Sequence, residues 1–397
     1  MKEYRMRITW LVIAVLCLTV VVNVPTAYAF SLADLTGGTS SGSIVNGLLG
    51  LLLGNVWNQL FPGGPAPGGG IIPAKTDATG TKEVVGFYAE WWGKDTSSFE
   101  SLSRNVASIR TIAPFWATLQ SDGTVTDRGG EDHNAVVEFA HKNQVAVMLL
   151  VNNAKEANGQ VPIHTVLSDS GLRAKAIANL IAAIKKYKLD GINIDFEMVP
   201  ATDRDKLTLF MKELSAQLKP QGYLVTMDVF PKQDESNDVA YAYDYGALSK
   251  YVDKIMVMTY DQHGVWSGPG PIADSKWVEK NLLYALTYIP KEKLYLGIAA
   301  YGYDWSVKGV ESLTYDQAIG LAKRYQAAIQ WDTSAQTPNF RYTDAQGIAH
   351  QVWFENSESL KTKLDIVNRY DIAGIAIWKL GEEDPAYWQV IQEKLKL

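Results

Sequence analysis

The chain contains a single cysteine, Cys17. It lies in an apolar stretch close to the start, and a product trimmed beyond it would keep no thiol. That excludes a disulfide framework and thiol catalysis. There is no run of lysine or arginine, and the formal net charge is −6. A nucleic-acid partner is therefore not expected. The five histidines (133, 141, 164, 263 and 350) show no metal-ligand spacing, and Glu382-Glu383-Asp384 reads as a solvated acidic loop, so neither a metal nor another cofactor is expected. His263 reads either as a surface-loop residue or as a pocket lining. No glycine-rich turn follows the first β-rich run, which argues against a doubly wound, dinucleotide-binding sheet. Gly38-Thr39-Ser40-Ser41-Gly42 fits the G-x-S-x-G pattern, but it sits in low-complexity sequence with no strand before it and signals no serine hydrolase.

The sequence that is present is 47% hydrophobic, 11% aromatic and 20% charged, a globular composition with ample core material. Residues 1–29 read as a signal peptide: Lys2, Arg5 and Arg7, then ITWLVIAVLCLTVVV (8–22), then Ala27-Tyr28-Ala29 as a small-x-small cleavage site. The apolar run is short for a membrane span, so a secreted, extracellular product at a cell wall or spore is expected, and a membrane-anchored one if the segment stays. Leu16 stands where a lipoprotein signal would have a small residue. Removal leaves a net charge of about −8. Residues 30–81 read as a tether. They comprise low-complexity TGGTSSGS, apolar SIVNGLLGLLLGNVWNQLF (43–61) and the linker PGGPAPGGG. The 43–61 piece is either a peripheral membrane- or wall-binding element or a segment packed loosely on the main domain.

From residue 82 to 397 short β-rich runs alternate with helical periodicity. The runs are 83–92, 108–116, 144–153, 189–197, 223–230, 254–261, 293–305 and 372–380. In Asp205–Leu218 the apolar residues Leu207, Phe210, Met211, Leu214 and Leu218 mark one helical face, closed by Lys219-Pro220-Gln221-Gly222. Leu172, Ile177, Leu180, Ile181 and Ile184 mark another, after the capping candidates Ser168-Asp169-Ser170. Eight such runs predict an α/β fold of the TIM type, a (β/α)8 barrel. Residues 306–365 are too long for one helix. With a helix at Tyr315–Ala328 and the pieces AAIQW, NFRYTD and HQVWFEN, they read as a small α+β insertion between the seventh and eighth strands.

The fourth run, LDGINIDFE, alternates Ile192, Ile194 and Phe196 with Asn193, Asp195 and Glu197. In a strand these sets face opposite ways. Placed in a barrel, Glu197 is the last strand residue at the mouth, with Asp195 and Asn193 below it. Burying two acids as mere filling is costly. A Glu beside a buried Asp suits acid/base work, as in a glycosidase. Trp91, Trp92, Trp116, Tyr260, Trp266, Tyr301, Tyr303, Trp305 and Trp378 fall at or just after strand ends, where rings could stack on sugar faces.

DGINIDFE resembles the DGxDxDxE signature of glycoside hydrolase family 18, the chitinase-like barrels. Met258-Thr259-Tyr260-Asp261 is similar to that family's MxYD element, Trp378 to its tryptophan on the eighth strand, and the insertion to its own. The stretches YDQHGVWSGPGPIADSKWVEKNL, LGIAAYGYDW and IWKLGEEDP resemble the bacterial branch of spore-cortex and cell-wall N-acetylglucosaminidases, so that the likeness spans roughly residues 83–397. It implies an N-acetylglucosamine-containing polysaccharide, peptidoglycan or chitin, as partner, and retaining, substrate-assisted hydrolysis. On that pattern Glu197, Asp195 and Tyr260 are catalytic. Asn193, Asp261, Trp378, Met258, Tyr88, Trp116 and Tyr301 bind substrate. A monomer is expected. Asn193 departs from the usual Asp. An amide there is expected to donate an N–H to Asp195 and to keep that carboxylate ionised more firmly than an Asp neighbour would. The competing class is a sugar-binding relative without catalysis, against which the retained Glu197, Asp195 and Tyr260 argue.

Overall fold

A computed structural model describes residues 82–90, 95–130, 132–155, 162–236 and 239–397. The expected signal peptide, the tether with its 43–61 segment, and Trp91 and Trp92 lie outside the described residues. Among those described, no helix is long and apolar enough to cross a membrane.

Eight parallel strands close a barrel. They are β1 (Glu83–Tyr88), β2 (Thr111–Leu119), β4 (Ala146–Asn153), β5 (Gly191–Asp195), β6 (Leu224–Val229), β7 (Lys254–Val257), β8 (Leu294–Ala299) and β14 (Gly374–Trp378). Each pairs with the next, and β14 and β2 both pair with β1, which closes the ring. β3 (Val125–Asp127) forms an antiparallel hairpin with β2. This hairpin was not legible as a strand, because three residues beyond the tight turn at Gly123 (φ +78°) are too few to show alternation.

Two apolar layers follow from alternation along the strands. Val85, Phe87, Ala113, Leu150, Met256, Tyr295 and Ala376 fill the barrel, with Phe115 and Trp378 packed on them. Ile192, Ile194, Val225, Met227, Ile255 and Val257 face the helices, joined by Leu207, Phe210, Met211, Leu214 and Leu218. The helix Arg204–Leu218 presents the face its periodicity predicts. It ends in a 3-10 turn at Lys219–Gln221 and Gly222 in the left-handed region. Of the three capping candidates before the helix Ser170–Tyr187, Asp169 caps it, its side chain accepting from Leu172 N at 2.8 Å. At Gly191 the neighbouring strand is so close that a Cβ would stand 2.2 Å from the Leu224 carbonyl.

The insertion begins earlier than expected. The run 293–305 breaks at Ala300, whose N–H donates to the Trp378 carbonyl at 2.8 Å. β9 (Tyr301–Ser306) then leaves the barrel for a second, antiparallel sheet with β10 (Gly309–Thr314), β11 (Gln330–Asp332), β12 (Thr337–Thr343) and β13 (Ala349–Phe354), in the order β10-β9-β13-β12-β11. No turn residue separates the two strands, so the sequence reads as one. The helix of the insertion is Tyr315–Arg324, shorter than expected. Gln326 turns left-handed at φ +52° and Ala327 N bonds back to the Ala322 carbonyl, which stops it. The helix Ser357–Tyr370 then leads back to the barrel at β14.

Candidate active site

β5 ends at Asp195, two residues before Glu197. Glu197 thus stands on the loop above the strand, where side-chain hydrogen bonds hold its backbone. Asn153, the last residue of β4, accepts from Glu197 N at 2.7 Å and donates to Glu197 O at 3.1 Å. Tyr243 donates to the Phe196 carbonyl at 2.7 Å. Met198 follows in the left-handed region at φ +54° and turns the chain away. The Glu197 carboxylate is 34% exposed and accepts from Lys155 Nζ at 3.2 Å.

Beneath it, Asp195 is 7% exposed and its Oδ1 has no hydrogen-bond partner. Burial, and then the Glu197 charge, push its carboxyl well above the ordinary range, with Lys155 opposing. One expectation for Asn193 is overturned. Its amide does not reach Asp195. Asn193 Nδ2 donates to Asp228 Oδ2, and Asn193 Oδ1 accepts from Thr226 at 2.7 Å. Low dielectric and a like charge dominate the surroundings of Asp195, and both oppose its ionisation.

Asp228 was missed in the sequence. It is 1% exposed, and its Oδ1 also lacks a partner. Burial raises its carboxyl well above the usual value, followed by the Asp195 charge, with the Asn193 hydrogen bond opposing. β5 and β6 pair Asn193 with Thr226 and Ile194 with Met227. One step further along both strands come Asp195 and Asp228, side by side and facing inward. The signal was available: Thr226 and Asp228 alternate with Val225, Met227 and Val229 just as Asn193 and Asp195 do with their isoleucines.

Tyr260 and Asp261 follow β7. Tyr260 is 8% exposed. Its phenol is pushed well above the usual range by burial, then by the charges of Asp228, Asp195, Asp261 and Glu197, which places it among all four carboxylates. Gly297 on β8 makes room for the ring, since a Cβ there would lie 2.9 Å from Tyr260 Cε1 and 2.5 Å from the Val257 carbonyl. Asp261 is left-handed at φ +55°. It accepts from the hydroxyls of both Tyr301 and Tyr303, the latter at 3.0 Å. Burial nevertheless leaves its carboxyl above the ordinary value. Tyr301, expected to bind substrate, is buried and orients Asp261.

The remaining expected residues divide. Trp378 ends β14 on the inner face, half-buried, its ring 5.5 Å from Phe87 and 6.2 Å from Phe115. Met258 follows β7 and is buried. Tyr88 and Trp116 do not join the carboxylates. Phe87 and Phe115 take the inward positions, so their neighbours point outward. Tyr88 donates to Glu90 at 3.2 Å. Trp116 donates to Glu90 at 2.8 Å and stacks on His133 at 3.9 Å. Trp305 is buried with its Nε1 on the Gly264 carbonyl, Trp266 is 63% exposed, and His263 bonds within its own loop. Among the described residues no group of three or more His, Cys, Asp or Glu could hold a metal ion.

One mouth-facing carboxylate above a buried pair, with a phenol near them, can donate a proton and stabilise positive charge. The same barrel is found in known proteins. The family model described as glycosyl hydrolases family 18 matches residues 83–383. The cortical fragment-lytic enzyme of Bacillus anthracis is 30% identical over 336 residues, covering 80% of this chain and 76% of that protein. The crystal structure of the Bacillus cereus spore cortex-lytic enzyme SleL superposes with a TM-score of 0.73 at 27% identity, covering 79% of this chain and 75% of the other. That of a chitinase from Chromobacterium violaceum ATCC 12472 gives 0.72 at 30% identity, covering 80% and 99%.

Proposed function

The chain belongs to glycosyl hydrolases family 18, and we propose that it cleaves β-N-acetylglucosaminyl linkages in peptidoglycan, as an exported enzyme, with retention of configuration. The observation that carries this is Glu197 at the barrel mouth directly above the buried Asp195–Asp228 pair. In this reading Glu197 protonates the glycosidic oxygen. The substrate's 2-acetamido oxygen attacks the anomeric carbon, and the leaving sugar departs with the proton. Asp195 accepts from the acetamido N–H and stabilises the cyclic oxazolinium ion. Tyr260 donates to the acetamido oxygen, and Asp261, fixed by two tyrosine hydroxyls, holds the sugar. Glu197 then takes a proton from the water that opens the ring.

Two adjacent buried carboxylates cannot both carry charge cheaply, so one proton resides between Asp195 and Asp228. The charge left over is what the positive intermediate needs. The likeness to cortex-lytic enzymes favours peptidoglycan. The likeness to the Chromobacterium chitinase supports chitin as a second reading.

Product analysis after incubation with purified peptidoglycan and with chitin tests the substrate. Reducing ends released from peptidoglycan and absent with Glu197→Gln support the reading. Release from chitin alone selects the second. Binding without turnover on either would make the chain a sugar-binding member. A thiazoline analogue of the oxazoline intermediate should inhibit; an active enzyme indifferent to it would exclude substrate assistance.

A further inference from the structure

We propose that Lys155 is an anion subsite. In the loaded enzyme its ammonium leaves Glu197 and takes the free carboxylate of a lactyl ether on the leaving sugar, as carried by peptide-free N-acetylmuramyl residues. This rests on the peptidoglycan reading above.

Lys155 is placed for this role. Lys155 Nζ lies 3.2 Å from Glu197 Oε2, the group that delivers a proton to the glycosidic oxygen. In a β-1,4-linked glycan that oxygen is O4 of the leaving sugar. The lactyl ether of a muramyl residue sits on O3, on the adjacent carbon. Its carboxylate therefore comes close to the same point as the ammonium. In chitin the equivalent position is a hydroxyl.

Lys155 also has a fixed root and a free tip. Asn153 is bonded twice to the Glu197 backbone, and Ala154 N donates to the Leu119 carbonyl at 2.9 Å. The chain entering Lys155 is thus held, while the side chain is 54% exposed. An ion pair this exposed contributes little to stability and exchanges partners at little cost. The backbone clamp already positions Glu197 without it, so holding the fold does not account for the lysine.

The charge around Lys155 points the same way. Glu197 stands at this mouth, with Asp195 and Asp228 buried beneath it and Asp261 also acting on Tyr260. Such a site repels an anionic sugar unless a cation offsets it. Lys155 is in place to do so, and its field already reaches Asp195.

The test compares kcat/KM for three glycans of equal length: peptide-free alternating N-acetylglucosamine–N-acetylmuramic acid, the same glycan with its lactyl carboxylates amidated, and a chitooligosaccharide. The wild type should prefer the free carboxylate over its amide by about tenfold, the scale of one charge-assisted hydrogen bond. Lys155→Gln should abolish that preference, and Lys155→Arg should restore it. Because each enzyme is its own reference, a general loss of activity does not alter the ratio. Absence of the preference in the wild type, or its persistence in Lys155→Gln, overturns the proposal. If no glycan is cleaved, the hydrolase reading falls, and the same ratio measured as binding affinity decides the subsite by itself.

Discussion

Replacing Asp228 by Asn should stabilise the protein at neutral pH while weakening it as an enzyme. In the wild type, Asp195 Oδ1 and Asp228 Oδ1 are both buried without partners, while Asp228 Oδ2 accepts from Asn193. An amide at this position keeps an oxygen for Asn193 and offers an N–H toward Asp195. At pH 7 the wild type must take up the proton that the pair shares, whereas the amide brings its N–H without one, and this should add about 1–3 kcal/mol of stability, the scale of one buried polar group satisfied. With roughly 2 cal/mol/K of unfolding entropy per residue over a barrel of roughly 310 residues, Tm rises by about 2–5 °C.

The pH dependence fixes the sign. The folded-state pKa of Asp228 is raised, by burial first and then by Asp195. Its protonation therefore favours the wild-type fold fully below the unfolded carboxylate value of about 4. That contribution is lost as pH rises through the folded value. Asn does not titrate, so the advantage of Asp228→Asn should be largest at neutral pH and vanish toward about pH 4. Calorimetric Tm of both proteins between these limits is the assay. A Tm difference independent of pH, or a variant less stable at pH 7, would refute the idea of a shared proton. Turnover of an N-acetylglucosaminide should fall by roughly tenfold or more, since the proton held beside Asp195 is gone. Higher stability with lower activity is a trade that a merely structural aspartate would not produce.

Three further outcomes follow from the geometry. Glu197→Gln should lower kcat by about a thousandfold, within the range for a lost general acid, while affinity for the same oligosaccharide stays within a few-fold by calorimetry. Gly297→Ala drives a methyl to within 2.9 Å of Tyr260 Cε1; overpacking of this kind costs about 1–3 kcal/mol, visible as a lower Tm, and turnover should fall with it as the ring shifts. Asn193→Asp places a third carboxylate against Asp228 and removes its amide donor, and should cost about 3 kcal/mol or more at pH 7, recovered as the pH falls toward 4. An unchanged Tm at pH 7 would show that the group is better solvated than its burial indicates.

Much of this was legible because the barrel imposes a period of two on each strand. Alternation in GINID placed Asn193 and Asp195 inward and Ile192 and Ile194 outward, and the helix faces followed from a period of 3.6. The same rule misled where strand ends were misjudged. Counting Glu197 into β5 was natural in a run without a breaker. Yet the strand stops at Asp195, and Glu197 is placed by Asn153, a contact 44 residues away in sequence that no local pattern encodes. Trp116 lies near a strand end, and both Tyr88 and Trp116 are expected to bind substrate on the family pattern. Their parity, set against Phe87 and Phe115, would have placed them on the outer layer.

Asp228 shows why reading one strand at a time was not enough for the site. An acid at position 193 would stand two residues below Asp195 on the same strand, about 6–7 Å away. An acid at 228 stands beside it on the neighbouring strand, about 4.8 Å away at the backbone. The closer arrangement couples the two carboxylates more strongly, and the amide at 193 then has a different task from the one its place in the motif suggests. It donates to Asp228 while Thr226 donates to it, so that its own buried oxygen is satisfied. Asp228 keeps that one hydrogen bond and one buried oxygen without a partner. The amide that breaks the acidic pattern on β5 therefore does not leave Asp195 alone with Glu197: the carboxylate that shares a proton with it comes from β6.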